Sequence, residues 1–354
     1  MDARYARQEV LPGFGVAGQR RLGDARVLVI GAGGLGSSVI PFLAGAGVGT
    51  IGIVDDDIVE VSNLHRQTIH STADVGRGKV RSAADTVAAL NPDTQVIAIE
   101  QRLTADNALE IFADYELVLD GSDNFPTRYL ADDAAVLTGI AVVWGAVSQF
   151  GGQVGVSWAE RGPTYRDLFP VPPAPGSVLS CEVGGVLPTV VGVIGSIMAT
   201  EALKILSGVG TPLLGTVTTY DGLTGGFREL HFERDPAAAP VTELIDYEAF
   251  CGIVPALSPA DLAARQDEYT LIDVRDHWET EVASLPGAVH IPMASLEAAI
   301  EGLDRSKPVV VFCHLGIRSA SARSFLASNG FSATHLDGGI DAWSRDIDPS
   351  VARY

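Results

Sequence analysis

Val27-Leu28-Val29-Ile30-Gly31-Ala32-Gly33-Gly34-Leu35-Gly36 is the stretch on which the fold turns. A four-residue apolar run feeding a glycine loop is the pattern of a buried parallel strand turning into a helix. Gly31, Gly33 and Gly36 keep the G-x-G-x-x-G spacing, which lets the chain turn sharply, brings backbone N–H groups close to phosphate and aims a helix N-terminus at negative charge. Close packing alone also produces such corners. A second apolar run, Thr50 to Val54, ends on Asp55, where an acid that binds ribose hydroxyls is expected. Strand, loop, helix and acid together predict a nucleotide site on a doubly wound α/β sheet of the Rossmann kind.

Working outward, 354 residues exceed what one core usually organises, so two domains are expected. Apolar content of 47% with 19% charged residues is that of a soluble globular protein. A formal net charge of −20 sets long-range repulsion against nucleic acid and anionic membranes, and neither is expected as a partner. The polar start Met1-Asp2-Ala3-Arg4-Tyr5 carries no secretory signal. The apolar run from Val186 to Ala199 holds Pro188, Gly192 and Gly195, falls short of a membrane span and reads as a buried helix. Three cysteines, Cys181, Cys251 and Cys313, make no disulfide framework, so a reducing cytoplasm is expected.

Along the chain, a helix is expected from Ser37 to Ala46, with Pro41 tolerated or kinking it. Asp55 to Gln67 is a long polar crossover, unlike that of a dehydrogenase. Lys79 opens a helix that stops at Asn91-Pro92; a strand from Thr94 to Ile99 and a helical stretch from Ala105 to Phe112 follow. Leu117 to Asp120 reads as a strand whose carboxyl end, Gly121-Ser122-Asp123-Asn124, is an acidic corner where open α/β sheets bind ligands. An Asp there is either a helix N-cap or a magnesium ligand. Strands from Ala141 to Gly145 and Gly152 to Trp158 precede a proline- and glycine-rich loop over 162–185, expected to be mobile and functional. A helix from Thr189 to Leu206 and strands over Thr216 to Tyr220 and Gly226 to Phe232 close the first domain, 1–235; 236–255 is a linker by composition, and 256–354 a second domain.

In that second domain a new βα pattern begins at Ser258, with strands over Tyr269 to Val274, Ala288 to Ile291, Val309 to Phe312 and His335-Leu336, and a helix from Ala320 to Asn329. Val309-Val310-Val311-Phe312 runs straight into Cys313-His314-Leu315-Gly316-Ile317-Arg318. A free cysteine is by default a small buried hydrophobe. At a strand-to-helix corner, however, loop N–H groups, the helix N-terminus and Arg318 all favour a thiolate. Four residues between Cys313 and Arg318 give a six-residue ring of amides suited to a persulfide, where phosphatases of related shape use five.

With Asp273-Val274-Arg275, Pro286-Gly287-Ala288-Val289-His290-Ile291-Pro292, the Cys313 loop and Gly338-Gly339-x-x-x-Trp343, residues 256–354 resemble the rhodanese family. That resemblance implies a smaller α/β domain in which Cys313 carries a sulfane sulfur as a persulfide, with Asp273 and Arg275 bracing the loop. Residues 1–233 resemble the MoeB/ThiF adenylyltransferases, relatives of ubiquitin-activating enzymes. The matches are Arg4-Tyr5-Ala6-Arg7-Gln8, Gly31-x-Gly33-Gly34-Leu35-Gly36, Asp55-x-Asp57, Ser62-Asn63-Leu64-x-Arg66-Gln67, Gly78-Lys79 and Asp120-x-x-Asp123-Asn124.

This second resemblance implies ATP and magnesium as cofactors and, as substrate, the C-terminal glycine of a ubiquitin-like sulfur carrier protein (MoaD-, ThiS- or CysO-like). A weak carboxylate nucleophile approaching a tetra-anion needs cations, and Arg66 and Lys79 suit the phosphates. Asp123 would hold the metal, Asp55 the ribose and Asn63 a phosphate, with Asp57, Gln67 and Asn124 lining the same nucleotide site. Arg7 would reach into a partner subunit's site, so a homodimer is implied. Relatives carry two Cys-x-x-Cys pairs for structural zinc, whereas this chain has Thr164-Tyr165-Arg166-Asp167 at the first position and no pair after Phe232, so no zinc is expected. Cys181 lies where relatives place a loop cysteine; it either attacks or resolves an intermediate, or is inert. The fused chain is thus expected to adenylate a carrier and convert it to a thiocarboxylate, with cysteine desulfurase or thiosulfate as sulfur donor. The rivals are a nicotinamide oxidoreductase on the same glycine turn and a non-catalytic carrier-binding scaffold.

Overall fold

The computed structural model describes residues 3–173, 178, 184–252 and 256–354, which fall into two compact units, the first running to Phe250 apart from Pro173–Val178 and the second taking that segment and Cys251–Tyr354. Two helices, α1 (Ala6–Glu9) and α2 (Gly15–Asp24), precede β1 (Arg26–Ile30). Then come α3 (Gly34–Ala46), β2 (Thr50–Val54), α4 (Lys79–Leu90), β3 (Gln95–Ile99), α5 (Ala108–Phe112), β4 (Leu117–Asp120), α6 (Phe125–Thr138), β5 (Ala141–Ser148) and β6 (Gly151–Ser157). The first unit closes with α7 (Tyr165–Leu168), α8 (Pro188–Ser207), β7 (Thr216–Asp221), β8 (Gly226–His231) and α9 (Tyr247–Phe250).

Its eight strands form one sheet in the order β3-β2-β1-β4-β5-β6-β7-β8. The first five are parallel, with Val27 opposite both Ile51 and Leu117, and the last three turn antiparallel. This is the doubly wound sheet expected, and its cause is visible in β1 and β2: both faces are covered, so their residues are apolar without alternation. Fully burying such side chains favours the fold by about 1.5–3 kcal/mol each. The helix α8 is long and apolar enough to cross a membrane, yet Val190, Val191, Ile194, Met198 and Ala202 lie in the core. It lies across α3, close enough that a Cβ on Gly195 would sit 2.5 Å from the Ser38 Cβ.

Several expectations shift. Helix α3 starts at Gly34 rather than Ser37, which places Pro41 two turns in, and a turn of 3-10 helix (Val61–Asn63) interrupts the polar crossover. Part of the loop expected to be mobile, Tyr165–Leu168, is a helical turn with Tyr165 buried among Tyr129, Trp144 and Phe169. Within the segment read as linker, Tyr247 and Phe250 pack on α6, the Tyr247 hydroxyl donating to Asp133 Oδ2 at 2.7 Å and Phe250 standing edge-on to Tyr129. Helix α6 itself went unread in the sequence.

The second unit contains α10 (Pro259–Arg265), β9 (Thr270–Asp273), α11 (His277–Val282), β10 (Val289–His290), α12 (Leu296–Ala299), β11 (Val309–Phe312), α13 (Ile317–Ser328), β12 (Ala333–His335) and α14 (Gly339–Asp346). Its four strands are all parallel, in the order β10-β9-β11-β12. Phe312, Leu336 and Trp343 pack on one face of this sheet, and Val309, Val311 and Leu326 on the other.

Candidate functional site

The glycine loop between β1 and α3 needs its glycines for different reasons. Gly31 has φ +89°, open to glycine without strain, and a Cβ on Gly36 would meet the Gly31 carbonyl oxygen at 2.1 Å. The carboxylate of Asp55, at the end of β2, accepts from the N–H of Ala32 in that loop and from the N–H of Asp57, each at 2.8 Å. Burial raises its carboxyl above the usual range, against these hydrogen bonds and the nearby Lys79. The Lys79 ammonium, buried at the start of α4, pairs with exposed Asp57 at 2.7 Å, and the Lys79 N–H donates to the Asp57 carbonyl. Gln67 is buried, with its Oε1 lacking a partner, and its Nε2 would lie 3.7 Å from a Cβ on Gly33. Arg66 is half-buried with its stem beside Gly34, its Nη1 donating to the Ser62 carbonyl at 3.2 Å. Asn63 closes a capping box with Glu60 across the 3-10 turn.

In the acidic corner after β4 the carboxylate of Asp123 is not the helix cap. Asn124 is the N-cap of α6, its Oδ1 accepting from the Thr127 N–H at 2.9 Å, so Asp123 is left exposed and without a partner among the described residues. Two residues that the sequence did not flag build this region. Arg128 is buried, pairs with fully buried Asp120 at 3.2 Å and donates to the carbonyls of Ser122 and Gly145, which fixes the turn carrying Asp123. His70, neutral because burial lowers its pKa, donates from Nε2 to the Ala32 carbonyl, leaving Nδ1 to accept from the Ser82 hydroxyl. Neither had a readable signal: each is an isolated polar residue in a segment without periodicity. Arg7 is exposed on α1 at the other edge of the sheet, where Gln8 donates to the Ala46 carbonyl at the C-terminal end of α3. Cys181 lies outside the described residues.

In the second unit, Cys313 follows β11 and is buried, with Ser319 Oγ 3.6 Å from its Sγ. Gly338 and Gly339, both at positive φ, allow α14 to close on the loop from behind: Ile340 N–H donates to the Cys313 carbonyl and Asp341 N–H to that of His314. A Cβ on Gly339 would meet both carbonyl oxygens within 2.5 Å. Arg275 is buried and bonds to Asp273 and to the carbonyls of Glu279 and Ala283, while His290 bonds the Arg275 carbonyl. Arg318 at the loop's end is not free; it is bidentate to Glu279 at 2.7 and 2.6 Å. Burial works against Glu279's charge, yet Arg318, the Asp276 N–H and Tyr354 hold its pKa down to about 2. Glu279 carried a signal that was missed, since Asp276-x-x-Glu279 is a capping box.

A family model for the ThiF family matches residues 5–240. The chain belongs to the ThiF family. A rhodanese-like domain model matches residues 258–346, so both expected resemblances hold over the two units. The chain is 45% identical over 372 residues to the probable adenylyltransferase/sulfurtransferase MoeZ of Mycobacterium tuberculosis, covering 99% of this chain and 95% of that protein. It is 52% identical to a sulfur carrier protein adenylyltransferase of Thermus thermophilus, covering 71% of this chain and 96% of that protein. Among solved structures, E. coli MccB with ATP superposes with a TM-score of 0.60 at 20% identity, over 68% of this chain and 73% of that one, which establishes the Rossmann-like fold. This ThiF-family chain is therefore an enzyme, an adenylyltransferase that uses ATP and a sulfurtransferase.

Proposed function

We propose that the enzyme adenylates the C-terminal glycine of a ubiquitin-like sulfur carrier protein and converts the acyl adenylate to a thiocarboxylate with sulfur held on Cys313. The observation that carries the reading is the presence in one chain of a glycine corner edged by Lys79, Arg66 and an Asp123 without a partner among the described residues, and of a cysteine loop that opens a helix. The name of the Thermus relative supports a carrier as substrate. The carrier's carboxylate oxygen attacks the α-phosphorus of ATP, the bond to the bridging oxygen breaks, and pyrophosphate leaves with the electron pair. Arg66 and Lys79 offset the charge that develops. Asn63 and Gln67 line the phosphates, and Asp55 and Asp57 the ribose side of the loop. Asp123, an exposed oxygen donor, fits a hard cation such as magnesium, which would supply charge neutralisation at the phosphates.

The outer sulfur of the Cys313 persulfide then attacks the acyl carbon and AMP leaves. A second thiol, for which we propose Cys181, attacks Cys313 Sγ, releasing the thiocarboxylate and leaving a disulfide for a cellular thiol to reduce. With thiosulfate as donor, the Cys313 thiolate takes the outer sulfur and sulfite departs; a cysteine desulfurase persulfide is the other donor. Arg7 acts in the site of a second copy, which makes the enzyme a homodimer of the cytoplasm. The residues at the place of a zinc site do not suit that metal: Asp167 accepts from the Thr164 N–H and hydroxyl and from the Asp235 N–H, and none of the three offers a thiolate. The test is ATP–pyrophosphate exchange with candidate carriers. Carrier-dependent exchange should survive Cys313→Ala and vanish in Asp123→Ala, and exchange without a carrier, or untouched by Asp123→Ala, would sink the reading.

A further inference from the structure

Tyr354 holds the cysteine loop from outside and has no part in the chemistry above. Its hydroxyl donates to Glu279 Oε1 at 2.8 Å and accepts from Arg275 Nη1 at 2.9 Å. Its ring stacks on His314, the residue after Cys313, with centroids 4.2 Å apart and planes 12° from parallel, and Trp278 stands edge-on to it at 5.7 Å. Glu279 is saturated as a result. Oε1 takes Arg318 Nη2 and the Tyr354 hydroxyl, and Oε2 takes Arg318 Nη1 and the Asp276 N–H. Two ion pairs, Asp273–Arg275 and Glu279–Arg318, are therefore bridged by the neutral Tyr354 hydroxyl, and the second ends at Arg318, which closes the loop that begins with Cys313.

We propose that Tyr354 is a positioning residue for the sulfur loop: its hydroxyl ties part of the Glu279 charge to Arg275, so that the Arg318 guanidinium keeps its positive field for the sulfur anion on Cys313. The inference rests on the reading of Cys313 as the sulfur-bearing thiol. A carboxylate that also accepts from a hydroxyl polarised by a second guanidinium neutralises its first partner less completely. Without that hydroxyl, only Arg318 and the Asp276 N–H are left to offset the Glu279 charge, and the anion at Cys313 loses support. The other charged or titratable groups around the loop stay in place when only the hydroxyl is removed. These are His314, whose Nε2 is buried without a partner among the described residues, Asp276 at 3.8 Å from Arg318, and Asp341 on α14, which is paired with Arg353.

The decisive variant in the full-length protein is Tyr354→Phe, which keeps the ring and removes both hydrogen bonds. Cys313 alkylation by iodoacetamide is followed from about pH 5 to 9, by mass spectrometry of its own peptide so that Cys181 and Cys251 do not contribute. The pH of half-maximal rate should rise by about 0.5 unit, which is about a threefold loss of alkylation rate at pH values well below that midpoint, with a fall in kcat for thiosulfate:cyanide sulfur transfer at the same pH. ATP–pyrophosphate exchange should be unchanged. An unaltered pH profile in Tyr354→Phe overturns the proposal, even if Tyr354→Ala slows transfer, since packing alone then accounts for the residue. Sulfur transfer that persists in Cys313→Ala strikes the underlying assignment of Cys313 instead.

Discussion

Asp123 and Arg128 stand five residues apart in the acidic corner, and the proposed function gives the first a chemical role and the second a supporting one. Asp123 is exposed and has no partner among the described residues, so Asp123→Asn should change stability by no more than about 0.5 kcal/mol while ATP–pyrophosphate exchange falls by roughly two orders of magnitude. Arg128→Met should do the reverse of what its distance from the loop tip suggests. It leaves the Asp120 carboxylate buried with only the Ser122 N–H, which costs about 3–5 kcal/mol in urea unfolding, and it loosens the turn that carries Asp123. An Arg128→Met protein as stable as the native one would remove Arg128 from this account. The sequence marked Asp123 as a candidate because a carboxylate after an apolar strand is either a helix cap or a ligand. It hid Arg128 because a single arginine in a mixed helix reads as a solvated surface residue, and only the fold turns it inward.

At the scale of elements, the strands were legible, as were the helices opened by Lys79 and following Cys313, whereas the polar helix α6 was not. β1, β2, β4 and β11 are buried on both faces and therefore appear as unbroken apolar runs. Helix α6 buries Arg128, Asp132 and Asp133 on its inward side, which erases the apolar period that announces a helix. Those acids close a clasp with α7 and α9: Arg166 is bidentate to Asp133 at 2.6 and 2.7 Å and lies 4.7 Å from the Phe250 ring centroid, while Tyr247 donates to the same carboxylate. Asp132 accepts from the Ser157 hydroxyl and the Tyr165 N–H but leaves Oδ2 without a partner, and burial raises its pKa to about 6. Because the folded value lies above the unfolded one, the stability it contributes is full below about pH 4 and is lost as pH rises through about 6. Asp132→Asn should remove that dependence. The stability difference between variant and native protein should shift in the variant's favour by about 2 kcal/mol between pH 4 and 8, measured by urea unfolding, and a constant difference across that range would show that Asp132 is ionised throughout.

For the whole molecule, the question is what a single copy lacks. The nucleotide corner lies at the carboxyl edge of the parallel strands, whereas α1 lies at the amino edge, with Gln8 bonded to Ala46 and Asn91 donating to the Tyr5 hydroxyl. The thirteen residues of α3 separate the two by about 20 Å at 1.5 Å per residue. Arg7 is therefore placed away from the loop of its own chain, and the role proposed for it in adenylation requires a second copy. That arrangement predicts complementation. Arg7→Ala and Asp123→Ala should each be inactive in carrier-dependent ATP–pyrophosphate exchange. In a mixed dimer, however, the Arg7→Ala chain keeps its own Asp123 and receives an intact Arg7 from its partner, while the other site lacks both. Random pairing after unfolding and refolding an equal mixture makes half the dimers mixed, with one working site in each, so exchange should return to about a quarter of the native rate. If the mixture is as inactive as its components while each variant still forms dimers, Arg7 does not act across the interface. If Arg7→Ala alone retains full exchange, the α1 arginine has no part in adenylation.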